Sequence, residues 1–268
     1  MHPNSSRARH GGDTESVLAL SLSEHDVHVW RAVLGAAGDE LRAMECLLSE
    51  DELTRAAGYC FEPARNEFVC ARAVLRNVLS CYLEIPAPDI RFAYGVHGKP
   101  SISMDTSGKT RNLHFNFSRT PGLALCVISA QREVGIDVER MREDIDYEKI
   151  IRQFLSPAEN VFFQNLPKQE ISRYFFKYWT AKEAYVKARG YSLAHELERP
   201  TAPSFNIDGR AACTDFIAAD GLLWSLHQLN PRPDYIGAVV IEGSGANVKY
   251  LDMSCMGQKL GIMAPGTG

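Results

Sequence analysis

Two acidic residues alternate with apolar ones in the stretch Val-Gly-Ile-Asp-Val-Glu at 134–139. In a β-strand the side chains alternate between two faces, so Asp137 and Glu139 would share one face, beside the space left by Gly135. Carboxylate oxygens suit a hard cation, and Mg²⁺ typically takes one or two carboxylates together with substrate phosphates. The same alternation is also typical of an antiparallel strand with one solvated face. The strand alone leaves both interpretations open.

A third carboxylate and two cations come from the stretch FFKYWTAKEAYVKARG at 175–190. Glu183 and Lys187 are four residues apart, so a helix would place them within one turn on one face. Lys182 lies beside an apolar stripe, where its stem could be buried while its ammonium reaches a polar pocket. Such a Glu–Lys spacing is equally typical of a solvated surface pair. Trp179 is expected in the core rather than against a cofactor.

The elements that must position these residues alternate along the chain between strands and helices. Long helices are predicted over 64–83 and over about 169–189, the second ended by Gly190. Helix starts are predicted from capping patterns at Ser49 with Glu52, and at Ser156 with Pro157 and Glu159. Strand patterns are found at Leu18–Leu22, 91–95, 113–118, 122–130, 133–141, 204–210, 222–229 and 234–243.

This order of strands and helices predicts an α+β fold made of two similar halves. We expect a flexible tail over 1–16, an N-terminal half over 17–130, a C-terminal half over 131–245 and a loose segment over 246–268. No short-period repeat is present. Both halves belong to one chain of 268 residues, which is long enough for a substantial core.

Composition argues against several classes of protein. The net charge of −4 argues against a general nucleic-acid binder, and no apolar run reaches the length of a membrane span. The seven cysteines are scattered without a C-x-x-C pair, so neither a disulfide framework nor a zinc ribbon is indicated. The polar start of the chain lacks the apolar centre of a secretory signal. We expect a cytoplasmic protein with reduced thiols.

Four ordered motifs resemble those of the 4′-phosphopantetheinyl transferases, in particular the larger, surfactin-synthetase-type branch. VGIDVE at 134–139 is similar to the family's G-I-D-[IV]-E, and WTAKEAYVKARG at 179–190 to its W-[ST]-x-K-E-[AS]-x-x-K-x-x-G. GKP at 98–100 and HFNFSRT at 114–120 match two further motifs. The resemblance is strong over about residues 65–193 and weaker to about 243, and the first 60 residues align poorly.

The resemblance implies transfer of phosphopantetheine from coenzyme A to a serine of an apo acyl or peptidyl carrier protein, with release of 3′,5′-ADP. It implies a monomer whose site lies in the cleft between the two halves, with no nucleic acid or membrane as partner. By resemblance, Asp137, Glu139 and Glu183 hold Mg²⁺. Glu183 is also the candidate base for the serine proton, and Lys187 the candidate catalytic cation. Coenzyme A would contact the residues Lys99, Ser118, Arg119, Lys182 and Lys187.

The chain departs from the family pattern at Arg119, where a histidine is usual. Arginine stays charged at any working pH and could bind the 3′-phosphate of coenzyme A. Three further arginines lie on the predicted long helix, but helix arginines are usually solvated and we assign them no role; they are Arg65, Arg72 and Arg76.

Two other functions are compatible with acids and lysines of this kind. A Mg²⁺-dependent nuclease is one, although such enzymes typically place their Glu and Lys two apart on a strand. A catalytically inactive module that docks carrier proteins is the other, although intact acids at 137, 139 and 183 argue against lost activity. A serine hydrolase is disfavoured because the chain has no G-x-S-x-G elbow.

Overall fold

The structure is a computed structural model that describes residues 20–96, 98–102, 113–142, 144–155, 157–191 and 213–253. The helices in these ranges are α1 (Gly38–Glu45), α2 (Glu50–Ala57), α3 (Glu62–Leu83), α4 (Tyr147–Phe154), α5 (Pro157–Gln164) and α6 (Lys168–Ala188). The strands are β1 (Asp26–Val33), β2 (Phe92–Tyr94), β3 (Pro100–Ile102), β4 (His114–Thr120), β5 (Leu123–Ser129), β6 (Val134–Arg140), β7 (Cys213–Ile217), β8 (Leu223–Leu229), β9 (Tyr235–Glu242) and β10 (Asn247–Asp252).

The strands form two four-stranded sheets and one small hairpin. The first sheet has the order β10-β1-β5-β4 and the second the order β6-β9-β8-β7, while β2 pairs with β3. Pairing is antiparallel except between β1 and β10, which run parallel. This mixed helix-and-sheet architecture agrees with the predicted α+β class. The strands β4 and β6, which carry two of the motifs, are the edge strands of different sheets.

The two sheets pack face to face, and each is covered by one long helix. A buried cluster between the sheets joins apolar residues of both, including Val29, Leu125, Val127, Ile136, Val138 and Val239. The other face of the first sheet packs on α3, and the other face of the second sheet packs on α6. As predicted from their alternation, the apolar residues of β6 lie in the cluster between the sheets, which leaves the acidic face of β6 toward α6.

Most predicted elements are confirmed. The long helices begin and end within two residues of the predicted bounds. Gly190 has φ +72°, and its N–H donates to Lys187 O while the N–H of Tyr191 donates to Val186 O, which is a Schellman arrangement. Ser49 and Glu52 form the predicted capping box.

Two element predictions are wrong, and three further strands and two helices were not predicted. Leu20 and Leu22 are not in a strand; the N–H of Leu20 donates to Cys81 O at the end of α3, and both side chains pack on the first core. The segment from 246 is not loose throughout, because Asn247–Asp252 forms β10 against β1. The elements that were not predicted are β1, β3, β7, α1 and α4. Leu18, Ser156, the strand pattern at 204–210 and the tail over 1–16 lie outside the described residues.

Arg76 is not a solvated helix arginine. Its guanidinium is 1% exposed and donates to Glu52 Oε2 at 2.6 Å, to Ala87 O at 2.8 Å and to Ile90 O at 3.0 Å. It also donates to Ser49 Oγ, the residue that caps α2. The buried pair therefore ties α2 and the segment after α3 to the middle of α3.

Replacing Glu52 with glutamine is expected to lower the free energy of unfolding by about 3–5 kcal/mol, because a buried guanidinium would lose its counter-charge. Urea unfolding measures this, and Glu50→Gln, which changes an exposed acid on the same helix, is the matched control.

Burial by itself raises the pKa of Glu52, but the hydrogen bond from Arg76 and the charge of Arg72 hold it below its ordinary value. The wild type should therefore lose this advantage as the pH falls from the unfolded pKa through the folded one. A gap between wild type and variant that does not narrow in acid would contradict the assignment.

Candidate active site

A serine, an aspartate and a lysine from three elements meet at the edges of β4 and β6. Ser118 Oγ donates to Asp137 Oδ1 at 2.8 Å. Lys187 Nζ donates to the same Asp137 oxygen at 2.6 Å and to Ser118 Oγ at 3.2 Å. Asp137 and Ser118 are buried, whereas the side chain of Lys187 is 28% exposed. The sequence predicted all three as site residues, and the structure brings them together.

The other two predicted acids lie within electrostatic reach of this cluster. Burial, and then the charge of Asp137, raise the pKa of Glu139 to about 7. Burial also raises the pKa of Glu183, opposed by Lys187 and reinforced by Asp137. For Lys187, burial lowers the pKa, but the charge and hydrogen bond of Asp137 outweigh it and raise the pKa overall. The lysine is thus charged, and the Glu183–Lys187 pair is not a solvated surface pair.

Carboxylate oxygens are ligands that a hard cation prefers, but the three acids do not form a complete coordination site in this structure. Within the described ranges, no group of three or more His, Cys, Asp or Glu side chains is placed to hold a metal ion. Asp137 Oδ2, however, is buried without a hydrogen-bond partner, and the charge of Asp137 contributes to the raised pKa of both Glu139 and Glu183. An unpartnered oxygen amid repelling carboxylates is an environment that a divalent cation would stabilise.

Lys182 lies elsewhere on α6, in contact with α5. Its Nζ is 2.9 Å from Glu159 Oε2, and the Glu159 side chain is 2% exposed. A buried acid of this kind needs a cation beside it. The sequence predicted Glu159 as a helix-capping residue, and the ion pair with Lys182 was missed because it depends on how α5 packs against α6.

Lys99 contacts the end of α6 beside a cleft of about 730 Å³. Its Nζ lies 3.1 Å from Glu133 Oε2 and donates to Ala188 O at 3.1 Å. His114 Nδ1 lies 3.0 Å from the other oxygen of Glu133. The hydrogen bond to His114 and the charge of Lys99, opposed by burial, lower the pKa of Glu133 to about 2. His114 lies on the same face of β4 as Ser118, so the two-residue alternation of the strand is the signal that could have found it.

Arg119 does not join the cluster around Asp137. Its side chain is exposed and lies on the opposite face of β4 from Ser118, as the period of the strand requires. Trp179 is confirmed as a packing residue, because it stacks on Phe175 with ring centroids 5.8 Å apart and packs against the core under α6. Arg65 and Arg72 pair with Glu45 and Glu52 respectively.

Comparisons with known proteins point to one family of enzymes. The model of the 4′-phosphopantetheinyl transferase superfamily matches residues 133–240, and that of the 4′-phosphopantetheinyl transferase N-terminal domain matches 36–132. The 4′-phosphopantetheinyl transferase HetI of Nostoc sp. is 34% identical over 233 residues, which cover 86% of this chain and 94% of HetI. The 4′-phosphopantetheinyl transferase gsp of Aneurinibacillus migulanus is 37% identical over 120 residues, covering 45% of this chain and 46% of gsp. The enzyme Sfp of Bacillus subtilis is 30% identical over 125 residues, covering 47% and 52%.

The chain belongs to the 4′-phosphopantetheinyl transferase superfamily. Its matches include curated enzymes, and the residues that carry the site lie within the ranges that the two family models match. Membership argues against the nuclease alternative. In the described part of the chain, no helix combines the length and apolar character needed to cross a bilayer.

Proposed function

We propose that this phosphopantetheinyl transferase takes 4′-phosphopantetheine from coenzyme A and joins it to a serine hydroxyl of an apo acyl or peptidyl carrier protein, releasing 3′,5′-ADP. The observation that carries the proposal is the buried contact of Lys187 and Ser118 with Asp137, beside two acids with raised pKa. Phosphoryl transfer needs cations around the phosphates, a group that takes the nucleophile's proton, and shielding from water. The cluster contains residue types suited to each requirement.

Asp137, Glu139 and Glu183 would hold Mg²⁺ in this proposal. When bound, the ion would offset negative charge on the transferred and the leaving phosphate. The unpartnered Asp137 Oδ2 supports this role, as does the mutual repulsion of the carboxylates. Glu139 is only half-buried and contacts Thr120, and a water could replace it as a ligand.

Lys187 and Glu183 would act on the reacting groups. The ammonium of Lys187 is charged and borders the proposed phosphate site, so it can bind a phosphate oxygen as a compact cation. Ser118 Oγ would donate to the same phosphate by turning its hydroxyl hydrogen away from Asp137 Oδ1. Burial raises the pKa of Glu183, which makes it a better acceptor for the carrier serine proton, directly or through a water.

Coenzyme A would occupy the cleft next to the end of α6, with Lys99 on its wall. A volume of about 730 Å³ falls in the range of sites for small molecules and cofactors. Lys182 was predicted as a further contact, but it would have to leave the buried Glu159 to reach a phosphate. Holding α5 against α6 is therefore the role that its observed contact supports.

We further propose a monomer of the surfactin-synthetase-type branch that acts in the cytoplasm without nucleic-acid or membrane partners. Both sheets that flank the site come from one chain, which supports a monomer. Cys46, Cys60, Cys70, Cys81, Cys126 and Cys213 are free thiols, as a reducing compartment allows. A net charge of −4 fits a protein that does not bind nucleic acid in general.

The deciding experiment is to incubate the protein with coenzyme A, Mg²⁺ and a panel of apo-carrier proteins from fatty-acid, polyketide and peptide synthesis. Mass spectrometry should detect the phosphopantetheine increment on at least one carrier, and EDTA should abolish it. A protein that binds carriers and coenzyme A without any mass gain would instead be an inactive docking module.

Arg119 gives a separate prediction about coenzyme A. If its guanidinium replaces the family histidine at the 3′-phosphate, Arg119→Ala should weaken binding of coenzyme A about ten- to a hundredfold, since such charge-assisted contacts are worth roughly 1.5–3 kcal/mol. Binding of dephospho-coenzyme A, which lacks that phosphate, should hardly change. Isothermal titration calorimetry measures both affinities.

Two further variants sharpen this test. Arg140→Ala removes another exposed arginine from a neighbouring edge strand and should leave the ratio of the two affinities unchanged. Arg119→His should recover part of the loss at low pH, where imidazole is charged, and less at high pH. Equal weakening for both ligands in Arg119→Ala would mean that Arg119 does not read the 3′-phosphate.

A further inference from the structure

The strands β4 and β6 face each other as edges of different sheets, and in the described ranges no hydrogen bond joins backbone to backbone between them. Side chains of β4 make the contacts instead, to side chains or backbone N–H groups of β6 and of the residue before it. Alternate residues of β4 supply the contacts. These are His114 to Glu133, Asn116 to the N–H of Ile136, Ser118 to Asp137, and Thr120 to Glu139. This series of contacts, which we name the β4–β6 ladder, runs along the strand that carries the proposed metal ligands.

Asn116 makes the contact in the ladder that reaches the backbone of β6 next to Asp137. Asn116 is 4% exposed, and its Oδ1 accepts a hydrogen bond from the N–H of Ile136 at 3.0 Å. Ile136 is fully buried, so without Asn116 this N–H would lose its partner away from water. The next residue along the chain is Asp137. The contact therefore sets where the Asp137 carboxylate stands relative to Ser118.

The other side of β6 limits how the strand could adjust. A side chain at Gly135 would meet Ala184 O at 2.0 Å and Ala188 N at 2.3 Å, so β6 lies directly on the backbone of α6. Movement toward α6 is blocked, whereas sliding along β4 is opposed by the ladder. Loss of the Asn116 bond would thus release β6 in the direction that separates Asp137 from Ser118 and Lys187.

We propose that Asn116 is a positioning residue for transfer, acting through the backbone of Ile136 to hold Asp137 against Ser118 and Lys187. The inference rests on the proposed function in assigning the reaction to Asp137. A purely structural asparagine would affect stability only. Replacing a positioning asparagine lowers turnover more than it lowers the affinity for coenzyme A. The loss of turnover occurs only when Asp137 is present.

The test uses Asn116→Leu, which keeps the size of the side chain and removes the acceptor. Turnover should fall about 10- to 100-fold, as expected for misplacement on the order of 1 Å, while the affinity for coenzyme A stays within about threefold. In a double-mutant cycle with Asp137→Asn, the second substitution should add little further loss. The amide of Ile136 should exchange faster with deuterium in Asn116→Leu.

Ser80→Ala is the matched control, because Ser80 is also a buried polar residue but bonds within α3 to Asn77 O. It should leave turnover unchanged. If Asn116→Leu does not fold, Asn116→Ser, which is too short to reach Ile136 N–H but tolerates a water, gives the same three readouts. Near-normal turnover, an additive cycle or an unchanged Ile136 amide would each overturn the proposal. If Asp137→Asn alone retains activity, the role proposed for Asp137 is wrong. The deuterium exchange of the Ile136 amide would still test whether Asn116 holds that N–H.

Discussion

Asp137→Asn is expected to reduce phosphopantetheine transfer by roughly 10³-fold or more, about 4 kcal/mol in the barrier. Asparagine keeps the shape of the side chain and can still accept from Ser118, but it removes the charge that Lys187 and a cation would share. The fold should remain intact, since Glu183 lies one helical turn from Lys187 and keeps a carboxylate beside its ammonium. Steady-state turnover at saturating coenzyme A and Mg²⁺ measures the loss.

A second readout of the same variant does not depend on activity. The charge of Asp137 is the second cause, after burial, of the raised pKa of Glu139. Asp137→Asn should therefore lower the pKa of Glu139 from about 7 toward its ordinary range without reaching it, because the burial remains. Titration of the Glu139 carboxyl followed by NMR measures the shift.

Asp215→Asn is the control for both readouts, since Asp215 is an exposed acid on β7 in the same sheet. It should change neither turnover nor the pKa of Glu139. Near-normal turnover of Asp137→Asn at saturating Mg²⁺ would show that Asp137 is not needed to hold the metal. An unchanged pKa of Glu139 would show that the two carboxylates are not coupled.

The parts of the site that the sequence could predict are those set by local periodicity. Alternation along β6 places Asp137 on the face opposite the apolar residues, and helical spacing places Glu183 and Lys187 on one side of α6. Both arrangements depend on neighbours a few residues apart, and the structure has both. The resemblance to the family then joins the two stretches into one site, which periodicity alone could not do.

What local pattern could not supply is the set of partners that arrive from distant parts of the chain. The sequence around Lys182 is the same whether its ammonium binds a phosphate or Glu159. Only the packing of α5 against α6 determines which partner it has. Likewise, β10 is a strand because its backbone pairs with β1, 221 residues away in the sequence, and Asn247 and Lys249 contact Asp26 there. Arg76 is buried because a capping segment and a loop close around it.

Close packing between β6 and α6 provides the other large expected effect. Gly135→Ala should lower the free energy of unfolding by about 3 kcal/mol or more, near the upper end of the cost of inserting a methyl group into a packed core. The added Cβ would lie 2.0 Å from Ala184 O, 2.3 Å from Ala188 N and 2.9 Å from Ala188 Cα. These are backbone atoms of one helix, so no side-chain rotation can relieve the overlap and the two elements must separate.

Separation of β6 from α6 would also draw Asp137 away from Glu183 and Lys187, so turnover should fall even at temperatures where Gly135→Ala remains folded. Gly35→Ala is the matched control, because a Cβ at Gly35 meets no atom within 4 Å and the backbone there is not in the left-handed region. Both variants lose the chain entropy of a glycine in the unfolded state, but only Gly135→Ala adds an overlap with α6. Comparing the two by urea unfolding and by turnover therefore separates the overlap from the entropy effect. If Gly135→Ala were as stable and as active as Gly35→Ala, direct packing of the acidic strand on the α6 backbone could not be what holds the carboxylates beside the lysine.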